Sequence, residues 1–443
     1  MPSVLWSVIA FICALSQTAY AGGAVAQISG PDSAWVYFCI ALVFLMTPGV
    51  AFFYGGMVRP EHVTSTMYQS FIASGFVGII WAIIGYSLAF SSDFGGVIGN
   101  LGYFLLAEVD TTARTGQTIP HLSFMLLQCM YAIITPSLIT GAFAERVSFN
   151  AWLLIMSLWS VIVYAPVCHW VWGDHGWIQA MGGIDYAGGL VVHTVAGVSA
   201  LICALTFGRR QNFDNQPAVT HNSGYVFLGT ALLWFGWFGF NGAASLAPNG
   251  AAAQALTTTF FSGASGMLGW TIVDWGRYGK PSPTGSAIGA IVGLVAITPG
   301  AGYVGVPAAL VSGCLCGAIC NYVAEFTKRQ LRLDDTLDVF ACHGVAGILG
   351  AIMTGVFATK DVNPLGRDGL LYGETTVLFA NTIGVIVVSV YAAVMTFLIL
   401  KITNFFLPIR VSLDMEQKGL DRTQHPEMNP KTNHSEQNIK KVG

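Results

Sequence analysis

The sequence contains few charged residues. Only 9% of its 443 residues are Asp, Glu, Lys or Arg, whereas 54% are hydrophobic, and a soluble domain typically has about 25% charged residues. The net charge of −3 leaves no strongly basic face, which excludes nucleic acid as a partner class. This composition predicts a polytopic protein embedded in membrane lipid.

Paired cysteine spacings are also missing. The nine cysteines lie nearly all inside apolar runs, without the spacing of a disulfide framework or a zinc site. Cys314, Cys316 and Cys320 could be a metal cluster, but Cys316 and Cys320 are one helical turn apart in an apolar span, which favours packing. The sequence likewise has no nucleophile elbow and no Gly-rich phosphate loop. We therefore expect no metal, no cofactor and no enzymatic activity.

What the sequence does have is a series of long apolar segments and 52 glycines. A transmembrane helix needs about 20 apolar residues, and glycine in such helices usually marks close helix contacts. The pattern predicts an all-α protein with eleven transmembrane helices, of which the eighth is the shortest. They are expected at 33–57, 66–90, 120–143, 149–172, 187–208, 222–243, 252–274, 284–299, 303–326, 337–358 and 371–405.

The two ends of the chain differ from this pattern. Residues 1–21 combine an apolar run with a small-x-small site, which predicts a signal peptide, with a retained apolar segment as the alternative. Loops after odd-numbered segments carry nine Lys and Arg residues, and loops after even-numbered segments carry three. By the positive-inside rule, the N-terminus is expected outside the cell membrane and the C-terminus in the cytosol. Residues 407–443 are polar and are expected to form a cytosolic tail.

A five-residue frame occurs twice, as HTVAG from His193 and as HGVAG from His343. The histidines are 150 residues apart, and each follows an aspartate, Asp185 or Asp335, by eight residues. Because the two copies lie on segments that run in opposite directions, residues 33–208 and 222–358 are interpreted as an inverted 5+5 repeat. Transporters of this plan place the substrate path where the halves meet. The segment 371–405 is then a long eleventh helix.

A histidine at membrane depth can simply hydrogen-bond across a helix interface. A bis-histidine haem site is another reading of the pair. Two symmetric copies, each with a cost of burial and an ionisable partner at the helix end, favour a functional pair instead.

Several further motifs occur in a fixed order with the histidine pair, and together they resemble the ammonium transporter family, the Amt/Mep/Rh group. The motifs are MTPGVAFFYGGMVR (46–59), ITGAFAERVSF (139–149), DYAGGLVVH (185–193), WFGWFGFNG (234–242) and DDTLDVFACHG (334–344). The resemblance implies the ammonium-transporter fold, a homotrimer with one pore per subunit, and ammonium uptake with the two histidines in contact along a narrow apolar pore.

The resemblance also implies a mechanism. A dry apolar pore rejects ions that cannot shed their charge, and ammonium can shed its charge by giving up a proton. The family favours electrogenic passage in which NH3 and H+ are separated and travel by coupled routes. A neutral NH3 channel of Rh type and an ammonium sensor are the alternatives.

Matched singly to the family motifs, four residues are expected at the pore entrance. Trp172 matches the tryptophan that receives the cation over its ring, although an interfacial tryptophan is the alternative. Phe240 matches one of two gate rings, and Tyr131 stands at the other, where many members have phenylalanine. Ala244 stands where many relatives have serine, and Ser245 follows one place later, turned by about 100° on a helix.

The remaining candidates are expected to be structural. Asp185 could attract the cation, but a helix cap is favoured, and Asp335 is its inverted counterpart, with Asp338 one turn on. Trp237 is expected in the pore wall. The tail motif EQKGLDRTQHPEM (416–428) resembles the regulatory segment of the family, which makes a PII-type signalling protein a candidate partner.

Overall fold

In a computed structural model, the structure describes residues 27–211, 213–214 and 220–426. The predicted signal peptide and the last part of the tail lie outside these residues. The described chain is mostly helical. Its first helices are α1 (Gly30–Met57), α2 (Pro60–Phe90), α3 (His121–Phe143), α4 (149–172), α5 (Gly189–Phe207) and α6 (Ser223–Ser245).

Five more long helices follow, and two short ones end the described chain. The long helices are α7 (Gly250–Tyr278), α8 (Pro283–Ile297), α9 (Val306–Arg329), α10 (Phe340–Phe357) and α11 (Thr376–Phe406). The short helices of the tail are α12 (Leu413–Lys418) and α13 (Leu420–Gln424). The loop between α2 and α3 holds a two-stranded antiparallel hairpin, β1 (Asp93–Phe94) with β2 (Ile98–Gly99).

Nine helices in the described part of the chain are long and apolar enough to cross a membrane, which makes this a multi-pass membrane protein. The two long helices outside this set are α7, with many Thr, Ser and Gly residues, and α8, which is apolar but has only 15 residues. Both lie where the sequence predicts a segment.

Helix starts follow local capping chemistry. The side chain of Ser29 accepts a hydrogen bond from the backbone N–H of Asp32, and Pro31 occupies the first turn of α1. The side chains of Asn249 and Ser282 cap α7 and α8 in the same way, because an oxygen placed there satisfies an N–H that has no partner inside the helix.

Two helix starts differ clearly from the sequence-based expectation. Helix α2 begins at Pro60 rather than at 66, with a 3-10 turn over Pro60–His62 at its start. The eleventh helix begins at Thr376 rather than at 371, because Leu370–Tyr372 form a separate 3-10 turn. The next residue, Gly373, has a φ of 91°, a left-handed conformation that ends the turn before α11 starts.

Glycine permits backbone contact between the packed helices. A Cβ atom on Gly266 of α7 would lie 2.6 Å from the Cα atom of Gly293 on α8. Real Cβ atoms do not approach so closely, so only glycine allows the two helices to pack at this distance. This is the close packing that the glycine content predicts.

A candidate substrate pore with a histidine pair

The two copies of the HxVAG frame cross each other. A Cβ atom on Gly197 would lie 1.9 Å from the backbone nitrogen of Gly344, and a Cβ atom on Gly347 would lie 2.9 Å from the backbone nitrogen of Thr194. The fifth residue of each copy therefore packs against the backbone just after the histidine of the other copy. This reciprocal contact explains why both copies end in glycine.

The crossing brings the two histidines together at the start of α5 and α10. Each lies in a π-helical turn, Gly189–Thr194 or Phe340–Val345, a widened turn that is frequent at functional sites. The two Nδ1 atoms are 3.3 Å apart, and the ring planes are 23° apart. His193 is 1% exposed and His343 is 4% exposed. In a neutral pair, one Nδ1 donates the hydrogen bond and the other accepts it.

The pair lies in a narrow apolar cavity. Trp237 stacks on His193 with a ring-centroid distance of 5.3 Å. Most of the remaining wall consists of aliphatic and aromatic side chains from four helices, including Met46, Val50, Phe53, Leu138, Leu233 and Ile291. Among the described residues, the Nε2 atom of His193 has no hydrogen-bond partner, so it is available to a small polar molecule in the cavity.

Three aromatic residues lie together at one end of this cavity. The rings of Tyr131 and Phe240 meet edge to face with centroids 4.7 Å apart, and Trp172 lies 5.5 Å from Tyr131. The Tyr131 hydroxyl donates a hydrogen bond to the carbonyl of Phe240 (2.7 Å), which ties α3 to α6. The indole N–H of Trp172 donates to the carbonyl of Asp185 (2.8 Å). Phe240 therefore lines the cavity, Tyr131 packs against Phe240, and Trp172 packs against Tyr131.

Replacing Tyr131 with phenylalanine should weaken the contact between α3 and α6. The Tyr131→Phe variant loses one buried hydrogen bond, so its free energy of unfolding should fall by about 0.5–1.5 kcal/mol. The thermal midpoint of the purified protein in detergent measures the effect. Tyr37→Phe, on an exposed ring, is the control, and an equal change in both variants would contradict a role for the Tyr131 hydroxyl.

The hydroxyl of Ser245 binds backbone atoms of its own turn. Its hydroxyl lies 2.8 Å from the carbonyl of Gly242 and 2.7 Å from the carbonyl of Ala247, so it is engaged with backbone atoms in a 3-10 turn at the end of α6. Ala244 contributes only a methyl group beside the core.

Asp185 acts as a helix cap. Its Oδ1 atom accepts from the backbone N–H groups of Gly188 (3.1 Å) and Gly189 (2.6 Å), and its Oδ2 atom from those of Leu190 (2.8 Å) and Val191 (3.1 Å). A carboxylate that satisfies the free N–H groups at a helix start is favourable there. It therefore fixes the first turn of α5, which carries His193.

Asp335, which precedes His343 by eight residues as Asp185 precedes His193, is arranged differently. Asp335 accepts from the backbone N–H of Phe340 (2.7 Å), and Asp338 forms an ion pair with Lys328 of α9 (2.6 Å). Lys328 is not among the site residues predicted from the sequence, since its only signal there is a positive charge at the end of an apolar segment. The hydroxyl of Tyr54, in the wall of the cavity, donates to the carbonyl of Leu138 (2.8 Å).

A multi-pass helical fold with a histidine pair in an apolar cavity is typical of a membrane transporter or channel. A model of the Ammonium Transporter Family matches residues 34–430. An ammonium transporter of Bacillus subtilis is 44% identical over 397 residues, which cover 89% of this chain and 97% of that protein. The chain therefore belongs to the ammonium transporter family, as its motifs predict.

Solved structures agree with this assignment. The crystal structure of Candida albicans Mep2 superposes with a TM-score of 0.84 at 34% identity, covering 91% of this chain and 93% of that one. A structure described as a sensor Amt protein gives a TM-score of 0.82 at 25% identity, covering 89% of this chain and 98% of that one.

Proposed function

We propose that this protein carries ammonium across the cell membrane through the cavity that holds His193 and His343. The observation that carries the proposal is the contact between the two imidazoles inside a wall of apolar side chains. A charged ammonium ion is excluded by such a wall, whereas neutral NH3 can pass along it with an imidazole nitrogen as hydrogen-bond partner.

The proton of ammonium then travels separately. Neutral imidazoles that donate at one nitrogen and accept at another can relay a proton through a dry region. In our proposal, ammonium gives up its proton at the Trp172 end, NH3 follows the apolar path, and the proton passes through the histidine pair. Net charge therefore crosses the membrane in each cycle.

The proposal includes eleven membrane-spanning helices, with α1–α5 and α6–α10 as an inverted repeat. The offset of 150 residues between the two histidines supports the repeat, and so does the reciprocal packing of Gly197 and Gly347. The loop charges favour an external N-terminus and a cytosolic tail. A homotrimer in membrane lipid, with one pore per subunit, is what the family resemblance implies.

An ammonium pulse applied to proteoliposomes that contain the purified protein tests this function. A saturable current is expected. An NH3 flux without current, detected with an internal pH dye, would replace the proposal with a neutral channel of Rh type. If neither current nor flux appeared, the protein would be a sensor, an alternative that the likeness to the sensor Amt structure favours.

The docked part of the tail is proposed to regulate transport, with a PII-type protein as its candidate partner. The carboxylate of Asp421 accepts from the backbone N–H groups of Thr64 (3.0 Å) and Ser65 (2.7 Å) at the start of α2. The backbone N–H of Leu420 donates to the Nδ1 atom of His62 (3.2 Å). Because α2 follows the pore-lining helix α1, the tail contacts a segment that can report on the pore.

Replacing Asp421 with alanine should release the tail. Two charge-assisted hydrogen bonds are lost, each with a contribution of about 1.5–3 kcal/mol, so proteolysis of the tail should be faster by about tenfold or more. Asp414→Ala is the control, because Asp414 is exposed and its ion pair among the described residues is with Lys418 of the same short helix. Equal cleavage rates in the two variants would contradict tail docking through Asp421. Unchanged transport after removal of the residues beyond Leu407 would contradict regulation by the tail.

A further inference from the structure

The aspartates that precede α5 and α10 in the two proposed repeats, Asp185 and Asp335, make different hydrogen bonds. The offset of 150 residues maps Asp185 onto Asp335. Both oxygens of Asp185 accept backbone hydrogen bonds, whereas Asp335 uses its Oδ2 atom for Phe340 and leaves its Oδ1 atom without a partner among the described residues. Asp335 is only 2% exposed. A buried carboxylate oxygen of this kind requires a proton or another hydrogen-bond donor.

A second carboxylate stands beside it, at a position where the other copy has glycine. The same offset maps Gly188, with a φ of 119°, onto Asp338, with a φ of 58°. Left-handed backbone suits glycine and is uncommon for other residues. Capping of the helix does not require a side chain at this position, since the equivalent residue before α5 is Gly188, which has none. The carboxylate of Asp338 is therefore an addition of the α10 copy.

One positive charge is shared by these two acids. Lys328 of α9 pairs with the Oδ2 atom of Asp338 (2.6 Å), and the Oδ1 atom of Asp338 has no partner among the described residues. Other charged groups near the pair are Arg210 and Asp334, which form an ion pair with each other (2.9 Å). The titratable side chains of Tyr54 and Cys342 also face the pair.

The two acids precede α10, outside its membrane-spanning part. Burial, and then the negative charge of Asp338, raises the pKa of Asp335 to about 6. Burial also raises the pKa of Asp338, although Lys328 opposes this shift. Two interacting acids beside one lysine bind and release protons as a unit.

The pair also lies next to the pore. A Cβ atom on Gly141 would lie 2.8 Å from the Cγ2 atom of Val339 and 2.9 Å from the Cζ atom of Tyr54. Val339 follows Asp338 directly, Tyr54 lines the cavity, and His343 is five residues further along the chain. The two acids are therefore at the end of the cavity opposite Trp172.

We propose that Asp335, Asp338 and Lys328 form a site that binds one proton at the cytosolic mouth of the pore. The inference rests on the proposed function. A ring nitrogen of His343 loses a proton, an acidic oxygen of the pair gains it, and the resulting carboxylic acid gives it to cytosolic water, which restores the carboxylate. NH3 leaves by the apolar path and takes no part in this transfer.

Infrared difference titration of the purified protein between about pH 5 and about pH 8 tests proton binding directly. The wild type should show a carboxylic acid C=O band that titrates near pH 6, and Asp338→Asn should move this titration to lower pH, because a negative charge that raises the pKa of Asp335 is removed. Lys328→Met should move it to higher pH, because the positive charge favours the ionised acid. A band unchanged in both variants would overturn the site.

Transport measurements on the same proteins test the role of the site. The ammonium-evoked current of Asp338→Asn should fall by about tenfold or more, while NH3 flux stays near the wild-type value. Asp338→Gly is the matched control for folding, because glycine suits the left-handed backbone, and its current should be as low. A wild-type current in Asp338→Gly would overturn the proposal. A wild type without current would instead contradict the proposed electrogenic function, while the infrared titration would still decide whether the proton site exists.

Discussion

The ammonium-evoked current is expected to disappear when His193 and His343 are both replaced with alanine. The double variant keeps an apolar cavity but has no imidazole to accept the proton or to hydrogen-bond NH3 at the crossing of α5 and α10. A positioned acid–base group typically contributes about 10²–10⁴-fold to the rate of proton transfer. The current should therefore fall by about 100-fold or more.

The measurement is the current on proteoliposomes, with His175→Ala as the control. His175 is exposed in the loop after α4 and lies outside the cavity, so its loss should leave the current unchanged. The retention volume of each variant on size-exclusion chromatography checks that the fold survives. Undiminished ammonium current in the folded double variant would contradict the proposed proton path.

The second large effect is expected at the helix crossing itself. In Gly197→Ala, the new methyl group would lie 1.9 Å from the backbone nitrogen of Gly344 and 2.2 Å from its Cα atom. Backbone atoms cannot rotate away as a flexible side chain can, so α5 and α10 must separate and the histidine pair with them. We expect almost no folded protein from this variant.

The yield of monodisperse protein on size-exclusion chromatography measures this prediction. Gly347→Ala should be milder, since its nearest atoms would be at 2.9 Å and 3.0 Å. Gly75→Ala is the control, because nothing lies within 4 Å of a Cβ atom there, and alanine favours the helix by about 1 kcal/mol. A normal yield of Gly197→Ala would show that the crossing tolerates a wider separation.

Much of the fold could be predicted because its signals are local. Apolar segments of about 20 residues follow from the length needed to cross a bilayer, and the long helices lie where these segments occur. The family prediction is confirmed by the family match. The start of α11 was less predictable, because an apolar run does not reveal that a 3-10 turn and a left-handed glycine precede the helix.

The candidate site was predictable in part. The repeated frame identified His193 and His343 because a histidine at membrane depth is costly and the sequence places one there twice. The roles of the predicted site residues in transport stay predictions. Lys328 and His62 had no comparable signal, since a single charged or polar residue at the end of a segment is common and its partners are distant in sequence.

The sequence by itself determined that this chain crosses a membrane many times, which family it belongs to, and which two histidines are candidates for a pore. Those conclusions follow from composition, segment length and recurring motifs. Only the tertiary structure decided that the histidine rings touch and that Asp185 accepts hydrogen bonds from four backbone N–H groups. It also decided that one carboxylate oxygen of Asp335 has no hydrogen-bond partner in the part of the chain that the structure describes. These features depend on contacts between atoms of different helices, some of them about 150 residues apart in the sequence. They also depend on which polar atoms have no hydrogen-bond partner once the helices have packed.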